Sequence, residues 1–307
     1  MSVQTLMSNV MAETALLPRA DVTVTVSELK ETERNEVLQF LSERPEHTVN
    51  LVGLIRDNGL ESEHNRGTFY GCRNSEGRLE GVALIGHATL LETRTGRALK
   101  EFALTAQFCF NTHMIMGEEE RIEEFWNHYA DDGQQMRRTC RELLFELKRP
   151  LENTKTVEDL RLATVNDLHL IAPVHAAMAE EESGVNPLEK DGEGFLKRCA
   201  RRIEKGRVWV IVKDNQLLFK ADAQADTPDV VYLEGVWVNP NERGAGLGRR
   251  CLTVLCRQLL KRTRSICVLV NEENEKAHVF YRMCGFKRIS IYDTIFLQLE
   301  KDNRTVH

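Results

Sequence analysis

The sequence lacks several features that would assign it to a protein class at once. Its eight cysteines include no Cys-x-x-Cys pair, which disfavours a structural zinc site or a disulfide framework. No apolar run reaches 18 residues, so we expect no membrane span. Residues 1–21 form a polar leader without the pattern of a secretory signal. These absences predict a soluble, cytoplasmic protein that does not act at a membrane.

The sequence also lacks a surplus of basic residues. The 307 residues include 41 Lys and Arg against 47 Asp and Glu, and dense contact with nucleic-acid phosphates requires the opposite balance. Up to Lys155 the chain has 18 basic and 25 acidic residues, and beyond it 23 and 22. We therefore expect no nucleic-acid partner and an acidic first half, which would favour a cationic acceptor or a basic partner surface.

The length predicts about two domains, and Pro150–Thr156 is polar without apolar periodicity. We predict a leader over 1–21, a first domain over 22–150 and a second over 157–303. Both halves follow the order strand, helix, helix, hairpin, strand, which is compatible with a diverged duplication. Gly81–Leu91 is predicted as one strand-like run. The fold class expected is α/β, with a mixed central sheet flanked by helices.

The segment VYLEGVWVNPNERGAGLGRR carries the most chemical information. Its alternating glycines 244, 246 and 248 lie at a strand-to-helix turn, where backbone amides can approach a ligand without a Cβ in the way. Unpaired amides at a helix start bind phosphate groups, and Arg243, Arg249 and Arg250 add positive charge. The segment lacks the Lys-Ser/Thr of a P-loop, and its spacing differs from the dinucleotide fingerprint. A glycine-rich turn without a ligand is the alternative.

This loop resembles the pyrophosphate loop of the GNAT acetyltransferase superfamily, in which Arg-x-x-Gly-x-Gly follows a strand that ends in Val-Asn-Pro. The later segment VLVNEENEKAHVFYRMCGF is similar to the family's closing strand, helix and return strand. The resemblance covers Asp159–Phe296. The first half, chiefly Phe40–Leu60, resembles a poorly characterised amino-terminal domain found in some of these proteins. The resemblance implies a GNAT fold, with two tandem GNAT-like domains.

The resemblance also implies acetyl-CoA as co-substrate, without a metal. Backbone groups of the strand before the loop would contact the pantetheine arm, and the loop and helix start would hold the pyrophosphate. Asn274 would contact the cofactor arm, or serve only as a helix N-cap. The cofactor-binding residues implied are Val236, Trp237, Val238, Arg243, Gly244, Ala245, Gly246, Leu247, Gly248, Arg249 and Asn274.

Two side chains are the predicted catalytic residues. Tyr281 lies where the family has its tyrosine acid and would protonate the departing thiolate, unless it is only a packed aromatic. Glu234 lies in an otherwise apolar strand, where burial would raise its pKa into a range useful for a general base. Its side chain could instead face solvent. Glu181 and Glu182 are the competing carboxylates, and the run Glu180–Glu182 would attract a cationic amine.

These features predict transfer of an acetyl group from acetyl-CoA to a primary amine, by direct attack in a ternary complex. The acceptor could be a small molecule or an amine of a peptide or protein. The alternatives are an acetyl-CoA-binding sensor without turnover and a tandem transferase of aminoacyl or larger acyl groups. A homodimer is compatible with the sequence.

Overall fold

The computed structural model describes residues 23–151 and 157–298. The predicted leader over 1–21 and most of the predicted joint lie outside these residues. The strands are β1 (Val24–Glu28), β2 (Gly67–Asn74), β3 (Leu79–Gly86), β4 (Ala88–Thr93), β5 (Met114–Glu118), β6 (Met136–Leu147), β7 (Arg161–Leu162), β8 (Val208–Lys213), β9 (Gln216–Asp226), β10 (Val230–Val238), β11 (Ser265–Asn271) and β12 (Lys287–Leu297). The helices are α1 (Arg34–Leu41), α2 (Pro45–Asn58), α3 (Gly96–Ala106), α4 (Glu119–Tyr129), α5 (Leu168–Ser183), α6 (Pro187–Glu204), α7 (Leu247–Leu259) and α8 (Glu275–Met283).

The two halves repeat one order of elements. From β1 to β6 the order is strand, two helices, three strands, helix, strand, helix and strand. The order from β7 to β12 is the same. The predicted order is therefore confirmed. The run Gly81–Leu91, predicted as one strand, is two strands separated by His87. The chain reverses there into β4, which pairs antiparallel with β3, and Gly86 before the turn must be glycine because a Cβ on it would lie 2.3 Å from the Gly67 Cα. The turn was not predicted because the sequence is apolar on both sides of it.

The strands form one mixed sheet in the order β1-β2-β3-β4-β5-β12-β6-β11-β10-β9-β8-β7. The last strand of each half is exchanged. β12, from the second half, pairs with β5 of the first half, and β6, from the first half, pairs with β11 of the second. The predicted boundaries 22–150 and 157–303 thus divide the sequence, whereas the sheet is continuous across them.

Helices cover both faces of the second half of the sheet. On one face, α7 buries Leu252, Leu255 and Leu259, whose spacings of three and four residues place them on one side of the helix. They pack with Phe145 of β6 and with α8. On the other face lie α5 and α6, together with α2 from the first half. Val49 of α2 packs in one cluster with residues of β6, β9, β10 and β12.

Polar contacts also join α2 to the second half. Asp57, near the end of α2, accepts from Arg207 Nη2 at 2.7 Å and lies 3.1 Å from Lys205 Nζ. Arg201 donates to the Asn58 side chain at 3.0 Å. These contacts fix α2 beside α6, so the first half forms part of the wall above the sheet. In the described ranges, no helix combines the length and the apolar composition needed to cross a bilayer.

Candidate active site

A gap opens between β10 and β11 in the second half. The two strands run parallel and pair from Val230–Ser265 to Leu233–Val268. Both continue beyond this point, β10 to Val238 and β11 to Asn271, without further pairing to each other. The edge of β10 that faces the gap therefore presents unpaired backbone groups, which an extended ligand can pair with as if it were another strand.

A bulge at Gly235 shapes the wall of this gap. The pairing of β10 with β9 shifts between Glu234–Asp222 and Trp237–Lys220, and Gly235 has φ +59. A Cβ on Gly235 would lie 2.6 Å from Lys220 Nζ, so glycine is required for conformation and for space. The extra residue reverses the alternation of β10: Trp237 packs on the face of α5 and α6, and Val236 and Val238 pack on the face of α7.

A network of buried charged side chains stabilises the bulge. Lys220, which is fully buried, donates to Gly235 O at 3.0 Å and to Asp222 Oδ2 at 3.1 Å. The same oxygen lies 3.2 Å from His175 Nδ1 and accepts from Arg202 at 3.2 Å. Burial alone would raise the pKa of Asp222, but Lys220, His175 and Arg202 hold it well below its usual range. The network keeps a buried ammonium paired while it fixes the carbonyl of the bulge.

The glycine loop lies between the end of β10 and the start of α7, at the mouth of the gap. Gly244 and Gly246 have φ +83 and +76, conformations that favour glycine. Gly246 is the N-cap of α7, and no side chain caps this helix start. Arg243 Nε donates to Val238 O at 3.1 Å, and Arg250 donates to Ala245 O at 3.0 Å, so two exposed arginines hold the loop at the surface. The amides of the first helical turn remain available for an anion.

The first turn of α7 also packs tightly against its neighbours. Leu247 is half-buried against the core, and Arg249 is exposed beside it. Gly248 is buried, and a Cβ there would lie 2.7 Å from Val238 Cγ2 and 3.3 Å from the Phe280 ring. The third glycine therefore allows close packing of helix against strand, whereas Gly244 and Gly246 supply the turn.

Asn274 forms the N-cap of α8, with its side-chain oxygen accepting from Ala277 N at 3.0 Å. This is the structural role that the sequence offered as an alternative to cofactor contact. Its side chain is at the surface, and the cofactor contact stays a prediction.

Tyr281 is buried in the core on the α7 and α8 face. Its ring centroid lies 5.2, 5.5 and 6.3 Å from those of Phe280, Phe286 and Phe145. Burial, followed by the nearby Cys284 and Cys256, raises the pKa of the hydroxyl, which is therefore protonated at neutral pH. A protonated phenol can donate a proton or a hydrogen bond. The packing role is present, and the role as acid stays a prediction.

Three carboxylates from three elements gather on the opposite face, beside the bulge. Glu234 is on β10, Glu182 is at the end of α5, and Glu142 is on β6, a strand of the first half. Glu142 is buried and accepts from Thr294 Oγ1 at 3.1 Å. One oxygen of Glu234 is buried without a hydrogen bond in the described residues, 3.9 Å from Arg202. In the described ranges, no three His, Cys, Asp or Glu residues are arranged to hold a metal ion.

The carboxylates raise one another's affinity for protons. Burial and the charge of Glu234 raise the pKa of Glu142 to about 7, although the Thr294 hydroxyl opposes this shift. Desolvation by the surrounding protein, followed by the charges of Glu142 and Glu234, raises the pKa of Glu182 to about 8, although this residue is solvent-exposed. Crowded like charges that exchange protons near neutral pH are suited to accept a proton or to bind a cation.

The raised pKa of Glu142 predicts how stability depends on pH. Below pH 4.5 this carboxyl is protonated in folded and unfolded chains and has no penalty. As pH rises from about 4.5 to 7 the unfolded chain ionises first, so the group's contribution to stability falls. We expect Glu142→Gln to stabilise the protein relative to wild type by roughly 2–3 kcal/mol at pH 8, and by much less at pH 5. Urea unfolding at both pH values checks this; an equal difference at both would contradict it.

The corresponding gap in the first half, between β4 and β5, is filled by the chain's own charges. Buried Glu92 accepts from Arg44 at 3.2 Å and from Arg94, and Glu118 accepts from Arg44 at 2.7 Å. The cavity there is about 30 Å³, room for about one water molecule. Thr95 caps α3 with its own side chain. The helix start beside this gap is therefore capped, whereas the start of α7 is not.

Glu142, Lys220 and Asp222 were not predicted from the sequence. Lys220 and Asp222 are charged residues between apolar residues of one strand, the signal that identified Glu234, whereas Glu142 follows the charged start of β6. Of the competing carboxylates Glu181 and Glu182, both exposed, only Glu182 lies close enough to Glu142 and Glu234 for their charges to raise its pKa. Glu142 was overlooked because β6 belongs to the first half, and only the exchange of strands places it beside β10.

Comparison with known proteins agrees with this geometry. The model of the acetyltransferase (GNAT) family matches residues 175–286. No curated relative matches the chain with a significant score. Similar solved structures share its fold at low sequence identity. A Drosophila protein has TM-score 0.62 and 12% identity over 90% of this chain and 99% of its own.

Two further structures are described by their family. A tandem GNAT protein from the clavulanic acid biosynthesis pathway has TM-score 0.56 and 13% identity, over 92% of this chain and 100% of its own. A GNAT-family acetyltransferase from Colwellia psychrerythraea has TM-score 0.55 and 12% identity, over 90% and 100%. The expected fold class is thus confirmed. Residues 175–286 form a domain of the acetyltransferase (GNAT) family, within a chain that has a tandem GNAT fold.

Proposed function

We propose that the protein transfers an acetyl group from acetyl-CoA to a primary amine, by direct attack in a ternary complex. The observation that carries the proposal is the arrangement around one gap in the sheet. An uncapped, glycine-rich helix start lies at its mouth, and a carboxylate cluster lies on one face. The family supports acyl transfer, and GNAT proteins generally use acetyl-CoA.

The residues around the gap fit such a co-substrate. The amides of Leu247, Gly248 and Arg249 lack partners within the helix and would bind the pyrophosphate. The free edge of β10 from Val236 to Val238 would pair with the pantetheine arm. Acetyl-CoA, when bound, supplies the acetyl thioester that the amine attacks.

The carboxylate cluster, defined as Glu142, Glu182 and Glu234, would receive the amine. An ammonium group binds there because three acidic side chains surround it, and it must lose a proton before its nitrogen can attack. With pKa values of about 7 and 8, Glu142 and Glu182 are matched to accept that proton near neutral pH, directly or through water. Glu234, beside the bulge, lies nearest the free edge of β10 in sequence and is proposed as the residue that aligns the amine or takes its proton.

Tyr281 would act from the other face of the sheet, as the acid toward the departing thiolate. We expect Tyr281→Phe to lower kcat by at least about 100-fold and to leave the affinity for acetyl-CoA within about twofold, since general acids contribute roughly 10²- to 10⁴-fold. Steady-state kinetics and calorimetric binding check this. Tyr129→Phe, which alters a buried tyrosine in the first half, is the control and should retain kcat. Unchanged turnover in Tyr281→Phe would remove the tyrosine from the acid role.

The activity itself is tested by thiol release from acetyl-CoA with a panel of primary amines. The panel spans small amines, aminoglycoside-like amines, peptide amino termini and lysine side chains. We expect release that depends on the acceptor, with an acetylated amine as product. Firm acetyl-CoA binding without release for any acceptor would instead support a sensor without turnover.

A further inference from the structure

A cationic cluster lies on the same side of the molecule as the carboxylate cluster, nearer the amino-terminal end of β6. We define it as Arg66, Arg137, Lys190 and Arg198 with the imidazoles of His87 and His113. Within the described residues, Arg66, Arg137 and Lys190 have no ion pair, and Arg198 pairs with Asp191 at 3.0 Å. The function proposed above makes no use of these side chains.

Contacts between the two halves hold this cationic cluster together. His87 N donates to Arg66 O at 2.8 Å, and the rings of His87 and His113 stack with centroids 5.2 Å apart. His113 packs edge-on against Phe296, and the Arg137 guanidinium lies 5.8 Å from that ring. Arg137 also donates to Ser183 O, at the end of α5, at 2.6 Å. Residues of the first half, including those of β6, thus meet the α5–α6 region of the second half here.

The cationic cluster has too few negative charges. After burial, Arg137 and Arg66 lower the pKa of Lys190. Burial and the surrounding cations lower the pKa of His113 to about 4, and they lower that of His87 to about 3. Both imidazoles are therefore neutral at pH 7. Nδ1 of His113 is buried without a hydrogen-bond partner in the described residues. A bound anion would relieve the repulsion and accept hydrogen bonds from these groups.

The spacing of the two clusters follows from β6. Arg137 precedes Glu142 by five residues, so their Cα atoms lie about 15 Å apart along the strand at 3.3 Å per residue, whereas Glu182 adjoins Ser183, whose carbonyl contacts Arg137. The end of α5 lies alongside this path, because Arg138 donates to Glu181 O at 3.4 Å and Arg137 to Ser183 O. A ligand that extends along β6 would meet carboxylates at one end and cations at the other.

We propose that the amine acceptor carries a second, anionic group, a carboxylate or a phosphate, and that the cationic cluster binds this group. This inference rests on the proposed acetyl transfer, since it assigns the amine to the carboxylate cluster. It restricts the acceptor to bifunctional molecules, and it gives the first half a direct role in acceptor selection through Arg66, His87, His113 and Arg137.

The test uses linear ω-amino acids of increasing length, each paired with its carboxamide, so that the members of a pair differ only in charge. Linear ω-aminoalkyl phosphates form a second arm that separates phosphate from carboxylate. For the full-length protein with acetyl-CoA, we expect kcat/KM to be at least about 10-fold higher for the anionic member once its length matches the spacing. The arm with the larger preference identifies the anion.

The variants Lys190→Gln and Arg66→Gln should reduce this preference to within about threefold and leave the KM for acetyl-CoA unchanged. Lys213→Gln, an exposed lysine at the β8–β9 turn, is the matched control and should keep the preference. Equal kcat/KM within every pair for the wild-type protein would overturn the anion site while acetyl transfer stands.

A failure of the proposed function has a different signature, which is no transfer to any amine despite acetyl-CoA binding. The anion site is then judged by calorimetric titration of the CoA-bound protein with the same pairs. Binding of the anionic member that Lys190→Gln weakens at least about fivefold would support the site. Equal or absent binding of both members would reject it.

Discussion

Replacing Gly246 by Asp is expected to raise the KM for acetyl-CoA by at least about 100-fold. The new carboxylate would lie at the uncapped start of α7, where the pyrophosphate is proposed to bind. Two like charges at 4–6 Å repel by about 3–4 kcal/mol at an effective dielectric constant near 20, which corresponds to two to three powers of ten. The φ of +76 adds strain for any side chain. Calorimetric binding of CoA and steady-state KM values measure the effect.

Gly77→Asp is the matched control for this change. Gly77 has φ +79 in the turn between β2 and β3, and nothing lies within 4 Å of the Cβ that Asp would add. The backbone strain and the added charge are therefore alike in the two variants, whereas only Gly246 adjoins the proposed pyrophosphate site. A KM that rises equally in both variants, or in neither, would count against the glycine loop as the cofactor site.

Replacing Glu142 by Gln is expected to lower kcat for amine acetylation by about 100-fold. The substitution keeps the shape and the hydrogen bond from Thr294 but removes a group that can take a proton. In the wild-type protein we expect the rate to rise with pH through apparent pKa values near 7 and 8, because the cluster must be ionised to act as a base. In Glu142→Gln the increase of the rate with pH should become smaller. The stability expected for this variant makes misfolding a poor explanation for lost turnover.

Glu146→Gln is the control on the same strand. Glu146 is also buried, lies four residues after Glu142, and has a pKa raised by burial, but it pairs with Lys148 at 3.2 Å, away from the gap. Its replacement should leave kcat and the pH profile unchanged. If Glu146→Gln and Glu142→Gln reduce kcat to the same extent, the effect comes from β6 and not from the carboxylate cluster.

Local sequence was enough to predict the glycine turn and the helix start at the mouth of the gap. Glycines that adopt positive φ, a strand before them and an amphipathic helix after them are neighbours in the chain, so their pattern predicts the turn and its free amides. Glu234 was found for a similar reason, since an acidic residue in an apolar strand is visible in the sequence. The first-half gap likewise lacks such a loop in both sequence and structure.

The acceptor side could not be predicted in the same way. Glu142 and Glu234 are 92 positions apart in the chain, and they meet only because β6 pairs with β11 in the sheet of the other half. The bulge at Gly235 is equally hidden, since a glycine in an apolar strand does not indicate that Lys220 lies beneath it. Pairing of strands from different halves follows no periodicity within either segment.

The sequence by itself determined the order of the elements, the repeat of that order in both halves, and the loop with its helix start. These depend on local conformation and on periods of two and 3.6 residues, which are properties of short segments. Only the tertiary structure decided that β6 of the first half pairs with β11 of the second. It also decided that three carboxylates lie on one face of the sheet and that cations lie farther along β6. These depend on contacts between distant segments, whose burial raises pKa values and brings like charges together.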